Sequence, residues 1–229
     1  MQVRDEFSET TAPLEMLDQL GKLSLVKDLP FALEAGTDLF SVPIHKPGQA
    51  PRSRLAEFRP SSIDAARFAN RMSPADVSMF CAALDENTAL VETFVRSDCG
   101  PTEASTELRT TRDPYLLDLV NLLDVPAIFD DDTANLERAS LSFLHAFTLD
   151  LTRPVEKHGR EHVGYVPSQI VTEFVRYRFP GKADLALHGI RYRCSRRDGD
   201  IGCVRLYADE DIVDHHGLGQ PLRPRSTSY

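Results

Sequence analysis

Residues 77–96 read VSMFCAALDENTALVETFVR, and this stretch decides the class of fold. Its first half is a short continuous apolar run of the kind a buried strand takes, while DENTALVETFVR starts as a helix with Asp85 as its N-cap. A strand leads straight into a helix. Further along, residues 188–209, HGIRYRCSRRDGDIGCVRLYAD, read as two short strands around an Asp198-Gly199 turn, because glycine readily takes the positive φ of a tight hairpin. Residues 165–179, YVPSQIVTEFVRYRF, set Ile170, Val171, Phe174 and Val175 on one helical face, with Pro167 near the first turn where its missing N–H costs little. Between Asp132 and Asp150, Leu136, Ala139, Ser140, Phe143 and Phe147 recur at helical spacing and predict a second core-facing helix. Residues 106–126, TELRTTRDPYLLDLVNLLDVP, mix strand and helix periods, and both readings stay open. Strands mixed irregularly with helices predict an α+β (mixed α/β) domain, not a repeating βαβ array.

Outward from these units the pattern weakens. Residues 1–36 carry only short apolar clusters such as Leu14, Met16, Leu17 and Leu20, and read as an N-terminal arm or short helix. The stretch 45–74 holds Pro47, Pro51, Pro60 and Pro74, a density that excludes a central strand and predicts a long connection. Pro154 and the charged HGREH segment at 158–162 read as a loop. Residues 210–229 read as a loosely ordered C-terminal tail, leaving a single domain over 37–209.

Composition narrows the function. The chain has 229 residues, 41% hydrophobic and 27% charged, which is a globular balance and argues against a largely disordered chain. A formal charge of −9 argues against a diffuse cationic face, so nucleic acid and anionic membrane are not expected partners. A small molecule or a protein is. The N-terminal MQVRDEFSETTAPLEML has no apolar h-region, and the expected setting is a reducing cytoplasm. Cys81, Cys99, Cys194 and Cys203 form no CxxC pair and have no matching His pair, so no metal is expected and the thiols read as buried core. His215-His216 reads as a solvated loop, Asp130 to Asp132 as helix capping, and the cluster of Arg191, Arg193, Arg196 and Arg197 as a charged hairpin surface.

Four segments in order, NRMSPADVSMFCAALDENTALVE (70–92), LDLVNLLDVPAIFD (117–130), YVPSQIVTEFVR (165–176) and HGIRYRCSRRDGDIGCVRLY (188–207), resemble the RES domain family. That resemblance implies a single RES-like domain over 37–209, similar to the ADP-ribosyltransferase fold. The family includes bacterial toxins that consume NAD by phosphorolysis or hydrolysis, or by ADP-ribosylating a protein, and that are held in check by antitoxin partners. The family's Arg, in a motif resembling R-x-N-P-P-G, falls on Arg71, and its Glu, in a motif resembling T-A-x-x-E, falls on Glu92. Its Tyr falls on Cys81, and its Ser on Cys194 with Ser195 next to it. The sequence also departs at Ser73, Asp76 and Ser41.

The implied chemistry cleaves the nicotinamide–ribose bond of NAD, the substrate, without a metal. Glu92 would stabilise the oxocarbenium-like centre, and Arg71 would hold the dianionic cofactor bidentately. Cys81 offers only a small polarisable surface where a ring would stack on nicotinamide; neighbouring Phe80 would face the opposite way along a strand. Cys194 or Ser195 would meet ribose or phosphate oxygens. The alternative is a degenerate RES pseudoenzyme that binds a nucleotide or a protein. Read from the residues alone, Glu92 also fits a solvated helix position, Arg71 a surface ion pair, and the cysteines core thiols.

Overall fold

The computed structural model describes residues 20–22, 29–42, 71–74, 77, 79–96, 106–127, 134–153, 161–178, 186–194, 202–207 and 212–214. Eight strands among them form one sheet: β1 (Pro30–Ala32), β2 (Asp38–Ser41), β3 (Met79–Ala83), β4 (Thr106–Thr110), β5 (Tyr115–Asp118), β6 (Gly189–Arg193), β7 (Gly202–Tyr207) and β8 (Val213–Asp214). Their spatial order is β1-β5-β6-β7-β3-β2-β4-β8. Every pairing is antiparallel except β5 with β6. A parallel pair needs a crossover, and the chain between these two strands supplies it as two helices, α2 (Ala134–Thr152) and α3 (Glu161–Tyr177). A further helix, α1 (Glu86–Arg96), follows β3 directly and packs on β2 and β3. The architecture is the mixed α+β domain expected from the sequence.

The pleat sends alternate residues of each central strand into two separate cores. On the helix-covered face, Cys203 and Tyr207 of β7 and Ile190 and Tyr192 of β6 meet Ala89 of α1, Leu144, Phe147 and Leu151 of α2, and Val171 and Val175 of α3. On the other face, Val204 and Leu206 meet Phe80, Ala82, Leu39, Leu108 and Leu116. Phe31 at one edge of the sheet and Val213 at the other pack against this same second cluster, so the sheet curls around it. Edge strands β1 and β8 lie on either side of the 37–209 span expected from the sequence. Glycine is required at 189, where an added Cβ would sit 2.1 Å from the Arg205 carbonyl oxygen.

Local signals behave unevenly. Asp85 caps α1, its Oδ1 accepting the Thr88 N–H at 3.0 Å. Residues 106–126 resolve as two strands interrupted at Asp113-Pro114. In α2 the core stripe is Ser140, Leu141, Leu144, Phe147 and Leu151, and Ala139 is exposed, contrary to expectation; the Leu136 side chain lies outside the described residues. α3 begins at Glu161, inside the segment read as a loop, so Pro167 is interior to the helix and not in its first turn. Ile170 is 54% exposed, because the buried stripe runs through Ser168, Gln169, Val171, Thr172 and Val175. Three of those five are polar, which is why hydrophobic spacing misphased the helix. The Asp198-Gly199 turn, the 45–70 connection, Asp130 to Asp132 and His215-His216 lie outside the described residues. Among the described residues no helix is long and apolar enough to cross a membrane.

His188 ties β5 to β6, its Nδ1 accepting the Tyr115 N–H at 3.0 Å while its own N–H donates to the Tyr115 carbonyl at 2.7 Å. Burial, with Arg112 nearby, holds its pKa below the ordinary 6.5. Below pH 6.5 the unfolded chain therefore binds a proton that the folded imidazole resists. Stability from this site is complete above the unfolded value and is lost as pH falls through the folded one. His188→Asn, which keeps an acceptor but cannot titrate, should flatten that part of the pH profile of denaturant midpoints; an unchanged slope would remove His188 from the account.

Candidate functional site

Register fixes which side chains share the helix-covered face. Cys81 of β3 lies opposite Arg205 of β7, Ala83 opposite Cys203, and Tyr192 of β6 opposite Cys203 as well. Directly opposed residues project to the same side, so Cys81, Tyr192, Cys203 and Arg205 all face the helices. Cys194, two residues beyond Tyr192, is buried in the same cluster. α1 brings Glu92 down onto this group. Thr88 and Ala89 are buried, and Glu92 stands one helical turn further along the same stripe, itself half-buried. The ligand atoms of Glu92, Cys194 and Cys203, a carboxylate oxygen and two sulfurs, lie within 4.8 Å of one another.

Arg71 stands on the helix side of the sheet. Its guanidinium donates to the Leu151 carbonyl at 2.5 Å and to the Arg153 carbonyl, at the C-terminal end of α2 where carbonyls lack helical partners. The Arg71 carbonyl accepts the Ser168 hydroxyl, and the Ser73 carbonyl accepts the Gln169 amide N–H at 3.1 Å. Met72 between them is a core residue. The buried polar residues of α3 thus strap 71–73 against the end of α2, and the guanidinium has a structural task there.

Arg205 was not singled out from the sequence. It is 2% exposed in the middle of the sheet, with Nε donating to the Tyr192 hydroxyl at a long 3.4 Å. Among the described residues no carboxylate pairs with it. Burial, and then the like charge of Arg71, push its pKa down to about 10, so the guanidinium stays charged at neutral pH. A buried cation is costly to leave unneutralised, and its natural complement is an anionic group. The only trace in the sequence is a break of alternation, Cys203-Arg205-Tyr207, in a strand whose residues are all buried.

The expected site residues fall as follows. Arg71, Cys81, Glu92 and Cys194 lie on the helix-covered side, and Ser195 lies outside the described residues. Phe80 points into the opposite core and brings no ring to the Cys81 side. The aromatic groups that β6 and β7 bring to that side are Tyr192 and Tyr207. Tyr207 donates its hydroxyl to the Thr172 carbonyl at 3.3 Å, burial pushes its pKa up, and Arg176 lies 5.4 Å above its ring. In the hairpin Arg cluster, Arg191 pairs with Asp118 at 3.2 Å and Arg193 donates to the Val120 carbonyl, so both are tied to the β5 end; Arg196 and Arg197 lie outside the described residues.

No curated protein and no solved structure matches the chain. The family model of the RES domain matches residues 44–216, a span that holds Arg71, Cys81, Glu92 and Cys194 together with β3 to β8. On that match, which covers most of its length, the chain belongs to the RES domain family.

Proposed function

We propose that this RES-domain protein binds NAD and cleaves its nicotinamide–ribose bond. The observation that carries the reading is a half-buried carboxylate, Glu92, on the same side of the sheet as a buried guanidinium, Arg205, that has no carboxylate partner among the described residues. A dinucleotide complements both groups. Its pyrophosphate is a dianion for Arg205, with Arg71 adding to the positive field, and its ribose develops positive charge beside Glu92 as the glycosidic bond breaks. The electron pair of the C–N bond leaves with nicotinamide, which departs neutral. An oxygen of the acceptor, water, phosphate or a protein side chain, forms the new bond to the ribose carbon and gives up its proton. Cys194 or Ser195 meets the ribose or phosphate oxygens. By likeness to the family's toxins, the reading includes a cytoplasmic setting and a protein partner that holds turnover in check.

A second reading is favoured by one observation. The position where the family carries its ring is Cys81, and Phe80 is committed to the other core. The fold would then serve as a nucleotide- or protein-binding module without turnover.

Incubated with NAD, the wild-type protein should release nicotinamide, and Glu92→Gln should reduce the rate by at least about a hundredfold with little change in melting temperature, since the carboxylate acts on charge present only in the transition state. NAD binding without release supports the module instead, and absence of both removes NAD from the account. Cys81→Tyr should tighten NAD binding by restoring a stacking surface, read by calorimetric titration. An unchanged affinity in a folded variant would show that no ring is missing. Arg205→Met should separate function from stability. Removing a buried lone charge while keeping side-chain volume should stabilise the fold by about 1–2 kcal/mol, yet weaken ADP-ribose binding at least tenfold. A loss of stability would mean that Arg205 serves the fold and not a ligand.

A further inference from the structure

We propose that Glu92, Cys194 and Cys203 form a binding site for one thiophilic divalent cation, zinc in the ordinary case. The three donors come from three elements: Glu92 from α1, Cys194 from just past the end of β6, and Cys203 from β7. Their ligand atoms already lie within 4.8 Å of one another. Around tetrahedral zinc, with Zn–S of about 2.3 Å and Zn–O of about 2.0–2.2 Å, neighbouring donors are about 3.5–3.8 Å apart. Closing the present spacing onto an ion therefore asks for side-chain adjustments of about 1 Å or less, within the reach of rotation about χ angles.

The donor set selects the metal class. Two sulfurs and one carboxylate suit zinc and its softer analogues, whereas calcium and magnesium require shells of oxygen. Three protein ligands, the number the described residues supply, leave a fourth position for water, the open arrangement of a reactive or exchangeable site. Both cysteines are buried, Cys194 at 6% and Cys203 at 3% exposure, while Glu92 is only half-buried and marks the side from which an ion enters.

A disulfide is the competing use of two close thiols, and register argues against it. Tyr192 is the partner of Cys203, so Cys194 is its diagonal neighbour. Diagonal Cα atoms in a ladder are about 7–8 Å apart, beyond the 4.4–6.8 Å or so that a disulfide spans. An ion bridges that separation where an S–S bond would not. Sequence spacing hides the site because the two cysteines are brought together across a hairpin and the carboxylate arrives from a helix more than a hundred residues earlier.

Binding displaces the two thiol protons to solvent, so affinity should fall as pH is lowered. A cation held here also takes the Glu92 carboxylate, and under the NAD-cleavage reading, on which this consequence rests, it switches turnover off.

The test uses the full reduced chain with Co²⁺ as a spectroscopic probe. One equivalent should bind, with sulfur-to-cobalt charge-transfer absorption and the visible bands of a tetrahedral centre, and Zn²⁺ should displace it. Cys203→Ala and Cys194→Ser should each lose about half of the charge-transfer intensity and at least tenfold in affinity. Glu92→Gln should keep the sulfur bands and lose affinity. Cys81→Ser and Cys99→Ser should change neither. If Cys203→Ala does not fold by circular dichroism, Cys194→Ser and Glu92→Gln carry the comparison, since neither replaces a residue within a strand. A folded wild-type chain without charge-transfer absorption, or full absorption in either folded cysteine variant, overturns the site. Nicotinamide release that persists with the metal bound overturns the regulatory role alone. Cobalt binding in a chain that releases no nicotinamide even with chelator overturns the NAD reading and leaves the metal site standing.

Discussion

Burial of β7 on both faces is the constraint on which the rest of the structure depends. Six consecutive residues, Gly202 to Tyr207, are all inaccessible, so each alternate side chain must be satisfied by a separate layer. Val204 and Leu206 are served by the curled sheet itself, and Cys203 and Tyr207 by the helices. Its neighbours β6 and β3 inherit the division through register. Close packing leaves no tolerance at the seams, as Gly189 shows, where even a methyl group would collide with the backbone of β7.

Within this strand Arg205 is the exception that points to function. A guanidinium held 2% exposed near a second one is costly to desolvate. Strain of this kind is tolerated where something else supplies the missing charge. Glu92, on a helix capped by Asp85 two turns earlier, puts a carboxyl group on the same side of the sheet as this guanidinium. The cysteines beside Glu92 offer a different chemistry, soft and metal-binding, at the place where the resemblance to the family leads one to expect a hydroxyl.

The second organising feature is the strap at 71–73. Arg71 satisfies carbonyls at the end of α2 while its own carbonyl and that of Ser73 are satisfied by Ser168 and Gln169 of α3. A proline-rich approach that the sequence read as a connection thus ends in a segment fastened to both crossover helices. The fastening positions Arg71 close enough to Arg205 for each to feel the other's charge. Fold and candidate site are held by the same hydrogen bonds.

Strand β3, the capped helix after it and the β6–β7 pair were legible in residues 77–96 and 188–209, because their apolar runs and the Asp85 cap are local signals. Residues 106–126 stayed ambiguous because short apolar runs satisfy both periods, and only pairing with β2 and β1 decides between them. The exposed Ile170 and the interior Pro167 escaped because the buried stripe of α3 is largely polar, and its partners, at 71–73, are distant in sequence. By itself the sequence determined the class of fold, the family resemblance and the positions of Arg71, Cys81, Glu92 and Cys194 within it. The tertiary structure decided that Arg205 is a buried cation and that Cys203 joins Cys194 and Glu92. Both facts arise from which strands lie side by side, and strand neighbours are set by packing between segments far apart in the chain, which no local period encodes.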